Sequence, residues 1–183
     1  MNKFLTLLAI LILAPLIGGL YGIFHDQITY TISPEYYTKF KFYQFGLMDI
    51  GNEAIFPNPR LQVSVVGFLA TWWMGIPVGI ILGLVGLIQE RARTMFLTTL
   101  KAFVVTILIA FLTGLVGLIY GFLFLKYSDL SWFMPDNLID RTNFIAVGSM
   151  HNFSYLGGLT GLIGGITFTI IEKRKQKRAT KTT

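Results

Sequence analysis

Four long stretches without charged side chains constrain this sequence more than any other feature. They are Phe4–Phe24, Leu61–Gln89, Ala102–Leu125 and the residues between Arg141 and Glu172. A helix rises about 1.5 Å per residue, so roughly twenty residues cross the hydrocarbon core of a bilayer, which is about 30 Å thick. Each stretch is long enough to do so. We therefore predict an all-α polytopic membrane protein with transmembrane helices at about residues 4–24, 62–89, 102–125 and 146–171.

The composition agrees with a single membrane domain over residues 1–183. Apolar residues make up 54% of the chain and charged residues only 13%, about half of the roughly 25% found in soluble domains. The predicted spans leave loops 25–61 and 126–145 on one side of the membrane. Loop 90–101 and the basic tail 172–183 lie on the other side.

The charges are distributed unequally between these two sides. The side with the termini carries Lys3, Arg91, Arg93, Lys101 and the Lys- and Arg-rich tail up to Lys181. The side with the long loops carries most of the acids: Asp26, Glu35, Asp49, Glu53, Asp129, Asp136 and Asp140. Because Lys- and Arg-rich loops stay in the cytoplasm, we expect both termini there and the long loops outside. The tail is expected to touch anionic lipid headgroups rather than nucleic acid, since no aromatic residue or nucleic-acid motif accompanies it.

The two halves of the chain share short sequence similarities. Leu16–Gly22 resembles Leu115–Gly121, and Gly83–Ile88 resembles Gly158–Ile163. Each half would then be a helix hairpin. Because the first and third helices run in the same direction, the halves are predicted to be parallel repeats related by an axis along the membrane normal.

Small residues spaced by four occur in every span. They let helix backbones approach closely in lipid, where packing replaces hydrophobic exclusion as the cause of association. These small-residue faces are predicted to contact either other helices of the bundle, or a second copy or a larger membrane complex. The glycines assigned to helix packing are Gly18, Gly22, Gly79, Gly83, Gly117, Gly121, Gly157, Gly161 and Gly165.

The first long loop contains a short helix signal. Ser33 suits an N-cap, Pro34 the first helical position, and Glu35 the positive end of the helix dipole. Aromatic residues then follow on nearly every face up to Gly46, a suitable residue after a helix end. This pattern predicts an interfacial helix that lies at the outer membrane surface and caps the bundle.

Ionisable and polar side chains gather near the outer ends of the first and fourth spans. His25, Asp26, Glu35 and His151 are expected to line an outward-facing polar pocket, with Asn152 and Tyr155 as further candidates. Two imidazoles and a carboxylate suit a divalent first-row metal, with His25 and His151 as its ligands, and they equally suit proton transfer. The alternative is that both histidines are interfacial residues bonded to loop backbone or headgroups. The cofactor stays open, although haem would need a gap that close glycine packing disfavours.

No motif of a known catalytic site is present, and no catalytic residue is assigned. The chain lacks the Gly-x-Ser-x-Gly, His-Glu-x-x-His, phosphate-loop and dinucleotide-binding patterns. An enzyme would have to use His25, Glu35 and His151 as acid–base groups.

The segment His25–Phe42 resembles part of small bacterial multi-pass inner-membrane proteins that are uncharacterised. The resemblance covers roughly a tenth of the chain, and it implies a bacterial inner-membrane location without an activity. The sequence thus favours an inner-membrane protein that binds or translocates a small polar solute, proton or metal. A structural subunit of a membrane complex and a membrane enzyme are the alternatives.

Overall fold

The computed structural model describes residues 2–48 and 56–179, and within these ranges the chain is helical without strands. Asp49, Glu53 and Lys181, which entered the charge argument, lie outside the described residues. The long helices are α1 (Lys3–Ile32), α4 (Pro59–Gly86), α5 (Ala92–Leu123) and α6 (Arg141–Ala179). The short elements are α2 (Pro34–Tyr36), a π-helical turn (Tyr37–Lys41), α3 (Phe42–Gln44) and a 3₁₀ turn (Leu125–Tyr127).

All four long helices are long and apolar enough to cross a membrane, which confirms the prediction of an all-helical protein with four candidate spans. Several helices extend beyond the hydrophobic stretches. Residues 25–32, expected in a loop, continue α1, and the basic tail continues α6 to Ala179. Hydropathy marks the part of a helix that suits lipid, whereas backbone hydrogen bonding continues into polar sequence. The same reason explains why α5 starts at Ala92 rather than at residue 102, and why α6 starts at Arg141 rather than at residue 146.

The helices pack as two hairpins, α1 with α4 and α5 with α6, and contacts between the hairpins are far fewer. Close packing inside each hairpin comes from glycine. A Cβ atom on any of the nine glycines assigned to packing would lie within 2.9 Å of an atom on the partner helix of the same hairpin. At Gly22 the nearest atom would be the backbone oxygen of Gly67, only 2.0 Å away. The nine glycines are therefore used inside the hairpins.

The segment between α1 and α4 covers one end of the bundle, which we call the loop end. Ser33 Oγ accepts a hydrogen bond from the Tyr36 amide, and Gly46 ends the segment at φ 65°. A glycine tolerates this left-handed conformation without steric cost. Tyr36, Tyr37 and Phe42 are buried in a core cluster with Val63, Val66, Phe144 and Val147. The aromatic residues thus pack against protein. That the segment lies at a membrane interface stays a prediction, as does the parallel repeat.

Gly22→Ala is expected to destabilise the α1–α4 hairpin by about 1–3 kcal/mol, since overpacking a rigid contact costs that much. The neighbouring atom is backbone and cannot move away alone. Denaturant unfolding in detergent micelles measures the loss. Gly158→Ala is the control, because a Cβ there has no atom within 4 Å. Equal stability of the two variants would contradict the glycine-packed hairpin.

Candidate cation site at the loop end of the bundle

Two histidines and one aspartate meet between α1 and α6. Asp26 Oδ1 lies 3.1 Å from His25 Nδ1 and 3.3 Å from His151 Nε2. The two imidazole rings stand edge to face, with centroids 4.7 Å apart. All three side chains are buried, and Asp26 is only 3% exposed. One carboxylate oxygen therefore faces both imidazoles away from the surface.

The remaining ring nitrogens have fixed partners. His151 Nδ1 lies 2.9 Å from the backbone oxygen of Val147. A carbonyl only accepts, so His151 Nδ1 carries the proton and donates. His25 Nε2 lies 3.0 Å from Ser154 Oγ, which is able to donate or accept. These partners set the orientation of both rings toward Asp26.

The assignment of protons leaves one position that requires a cation. A neutral His151 with its proton on Nδ1 presents a bare lone pair on Nε2, and this lone pair faces Asp26 Oδ1. Two acceptors at that distance repel one another unless a positive charge lies between them. The arrangement thus holds a proton shared by Asp26 and His151, or a metal ion in its place.

The distances also suit metal coordination. Zinc–ligand bonds of about 2.0–2.1 Å in a tetrahedron put neighbouring ligand atoms about 3.3 Å apart. The Asp26–His25 and Asp26–His151 separations lie close to that value. One ligand atom from each of the three residues lies within 4.8 Å of the others. Ligating histidines usually bond through their second nitrogen to a carbonyl or other polar group, as Val147 and Ser154 provide here.

Aromatic rings and a buried lysine cover the cluster on the loop side. Tyr36 stacks on His151 with centroids 4.9 Å apart. The Tyr37 hydroxyl is 2.5 Å from Thr29 Oγ1, and burial raises the pKa of Tyr37 well above its usual value, so this phenol stays neutral. Lys41 is 7% exposed, with its ammonium 5.9 Å from the Tyr36 ring centre. Burial lowers the pKa of Lys41, although the Asp26 carboxylate acts in the opposite direction.

The structure places the other residues proposed from the sequence outside this cluster. Glu35 is held by the backbone amides of Ile139 and Asp140, at 3.0 and 2.7 Å, and by Lys39. Asn152 is exposed, and Tyr155 is half-exposed beside a cavity. Ser154, Tyr36 and Lys41 form the surroundings of the cluster instead. The helical spacing of three residues places Ser154 on the face of His151. The contacts of Tyr36 and Lys41 depend on how the loop segment folds back, which no sequence pattern indicates.

A cavity of about 220 Å³ adjoins the cluster on the side away from the loop segment. Along α6 it follows one helical face: His151, Ser154, Tyr155, Gly158, Leu159 and Leu162. Exposed residues of α4 and α6, among them Ile81 and Leu159, belong to its lining, so the cavity opens sideways between these helices. The sequence predicts a pocket facing outward; the described cavity opens laterally, and at its loop end lies the cluster, whose His151 is covered by Tyr36 and Tyr37. No protein family, curated protein or solved structure matches the chain.

Glu35 is expected to stabilise the loop end in a pH-dependent manner. The hydrogen bond from Lys39, supported by the amides of Asp140 and Ile139, lowers the pKa of Glu35 to about 2. A depressed pKa means that the stabilisation is present above the unfolded value of 4.5 and is lost as the pH falls through the folded one. Glu35→Gln should therefore speed amide exchange at Ile139 and Asp140 at neutral pH, and the difference from the wild type should vanish toward pH 2.

Asp136→Asn is the matched control for this prediction, because Asp136 is an exposed acid in the same loop as Ile139 and Asp140. It should leave amide exchange at Ile139 and Asp140 unchanged. An effect as large as that of Glu35→Gln would mean that loop charge, rather than the Glu35 contacts, orders the segment.

Proposed function

We propose that this integral membrane protein binds a first-row divalent metal ion through His25, Asp26 and His151. One observation carries the proposal: the three side chains are buried with their ligand atoms within 4.8 Å of one another. The facing of His151 Nε2 and Asp26 Oδ1 is compatible with it, since a metal ion bound to both atoms would offset their mutual repulsion, as a shared proton also would.

The donor set indicates the kind of ion. Two imidazole nitrogens and one carboxylate oxygen suit zinc and its first-row neighbours better than magnesium or calcium, which prefer oxygen ligands. Three protein ligands leave a coordination position for a further group, as in catalytic rather than structural zinc sites. In the metal-bound form His25 would carry its proton on Nε2 and donate it to Ser154 Oγ. The ring then keeps its hydrogen bond while Nδ1 coordinates.

The site favours binding over passage of a polar solute. On the side of the cluster away from the loop segment, the cavity is lined mainly by aliphatic and glycine residues. The polar residues that line this part are Thr71 and Thr106. A polar solute or hydrated ion would lose its water there without compensating hydrogen bonds.

We place the protein in the inner membrane with both termini in the cytoplasm, on the distribution of Lys and Arg. Two parallel hairpin repeats remain part of this proposal, supported by the glycine-packed α1–α4 and α5–α6 pairs.

Holding a transferable proton is the second candidate function, because the same Nε2–Oδ1 contact accepts a proton in place of the metal. Proteoliposomes containing a pH-sensitive dye measure this directly. If the cluster relays protons, wild-type protein should dissipate an imposed pH gradient and Asp26→Asn should not. An Asp26→Asn variant that conducts as well as the wild type would exclude the relay.

The metal proposal predicts one zinc ion per chain in the full-length protein in detergent, measured by elemental analysis and isothermal titration. His151→Ala is expected to abolish stoichiometric binding, because it removes a ligand and leaves two. Ser154→Ala should weaken affinity about 10–100-fold, the usual effect of removing a hydrogen-bond partner of a ligating histidine.

Asn152→Ala is the control variant, since Asn152 is polar, adjacent to His151 and exposed. It should bind zinc like the wild type. Wild-type protein without stoichiometric zinc, cobalt, manganese or iron would refute the metal site. Unchanged affinity in the His25→Ala, His151→Ala double variant would refute these ligands.

A further inference from the structure

We infer that the cavity between the hairpins is the binding site for a membrane-dissolved molecule with a neutral hydroxyl-bearing head and an apolar chain. The inference concerns the cavity below the cluster and does not rest on metal binding. It is carried by the two ends of the cavity, its opening toward lipid, and two polar atoms that lack partners.

The closed end of the cavity is polar and incompletely bonded. Asp26 uses Oδ1 for both histidines, whereas its Oδ2 is buried and has no hydrogen-bond partner among the described residues. The buried hydroxyl of Tyr21 likewise makes no hydrogen bond of ordinary geometry, although the Ser154 side chain is its polar neighbour. Both side chains line the cavity. A buried acceptor without a partner costs about 1–3 kcal/mol, and more when charged, so these atoms indicate a ligand that bonds to them.

The chemistry of this end selects the head. Asp26 Oδ2 accepts and therefore requires a donor, while Tyr21 is able to donate to or accept from the same group. Apart from Asp26 and the two histidines, the described lining has no ionisable group other than tyrosine, and it contains no Lys or Arg. A phosphate or carboxylate head would face the Asp26 charge without a counter-ion. A phenol or alcohol fits, because it donates to Asp26 and accepts from Tyr21.

The rest of the cavity suits an apolar chain that enters from the bilayer. From His151 to Leu162 the lining of α6 covers about 16 Å of helix at about 1.5 Å per residue. The volume, about 220 Å³, is small for a ligand pocket, so it holds a head and the first part of a chain. A shallower pocket lined by Trp73, Met74, Tyr155, Leu156 and Leu159 shares three of these residues with the cavity and continues it to the surface.

Gly158 allows the cavity to be closed without touching the cluster. It lines the cavity, and a Cβ there would have no atom within 4 Å. Gly158→Leu should therefore place its side chain in the cavity and leave the helix contacts intact. Thr160→Leu is the matched control. This substitution introduces the same side chain at an exposed position on α6 that lines neither pocket.

The test uses the full chain in micelles and titrates decyl-hydroquinone, a phenolic head on an apolar chain. Its dimethyl ether, which has the same shape without O–H donors, is titrated beside it, as is a fatty acid of matched chain length. Isothermal calorimetry reports the binding of each of the three compounds. We expect saturable binding of the hydroquinone, at least about tenfold tighter than that of the ether, since the ether leaves Asp26 unpaired. Thr160→Leu should bind normally and Gly158→Leu should lose binding.

Zinc binding measured on the same samples separates this inference from the proposed function. Gly158→Leu should keep its metal stoichiometry, which also shows that it is folded. Asp26→Asn should weaken the binding of the hydroquinone, whereas Thr160→Leu should not. Equal affinity for hydroquinone and ether, preference for the fatty acid, or undiminished binding by Gly158→Leu would overturn the inference, whether or not zinc binds.

Discussion

The burial of one carboxylate among apolar helices is the constraint on which the rest of the site depends. A charged side chain in the middle of a membrane helix costs about 2.5–3.5 kcal/mol on insertion scales, and such groups face the protein interior and pair. Asp26 follows this rule at the loop end of α1, where two histidines surround one of its oxygens. The orientation of His151 by Val147 and of His25 by Ser154 then becomes part of how the bundle accommodates that charge.

The position of the cavity follows from how the helices are paired. Glycines bring α1 against α4 and α5 against α6 at backbone distance, so each hairpin is closely packed within itself. Between the hairpins, larger side chains such as Met74, Phe103 and Leu162 line a gap. The cluster lies at one end of this gap because Asp26 and His151 come from different hairpins. Rigid hairpins with a looser junction therefore produce both the site and its access.

Hydropathy and periodicity predict the four long helices, but they do not determine how a helix is rotated about its axis or which path a loop takes. Four charge-free stretches were sufficient for four long helices, and the equal depth of His25 and His151 follows from the topology. Depth alone does not say that the rings touch, since a helix turned by half a revolution would separate them. Glu35 has the right chemistry for the cluster, but it instead caps the backbone at Ile139 and Asp140. Lys41 and Tyr36 cover the cluster through a fold of the loop that no periodicity signals.

The two oxygens of Asp26 have different surroundings, and this difference would link the proposed cation to the cavity. Oδ1 is shared by the imidazoles, whereas Oδ2 belongs to the cavity end without a partner. A cation held at Oδ1 withdraws charge from the whole carboxylate, which weakens Oδ2 as an acceptor. A hydroxyl donor at Oδ2 also withdraws negative charge from the carboxylate and so weakens the attraction of Oδ1 for a cation. Binding at either oxygen of Asp26 therefore disfavours binding at the other. Such coupling is reciprocal: whichever ligand binds first lowers the affinity for the other by the same factor, unless the head group also ligates the metal.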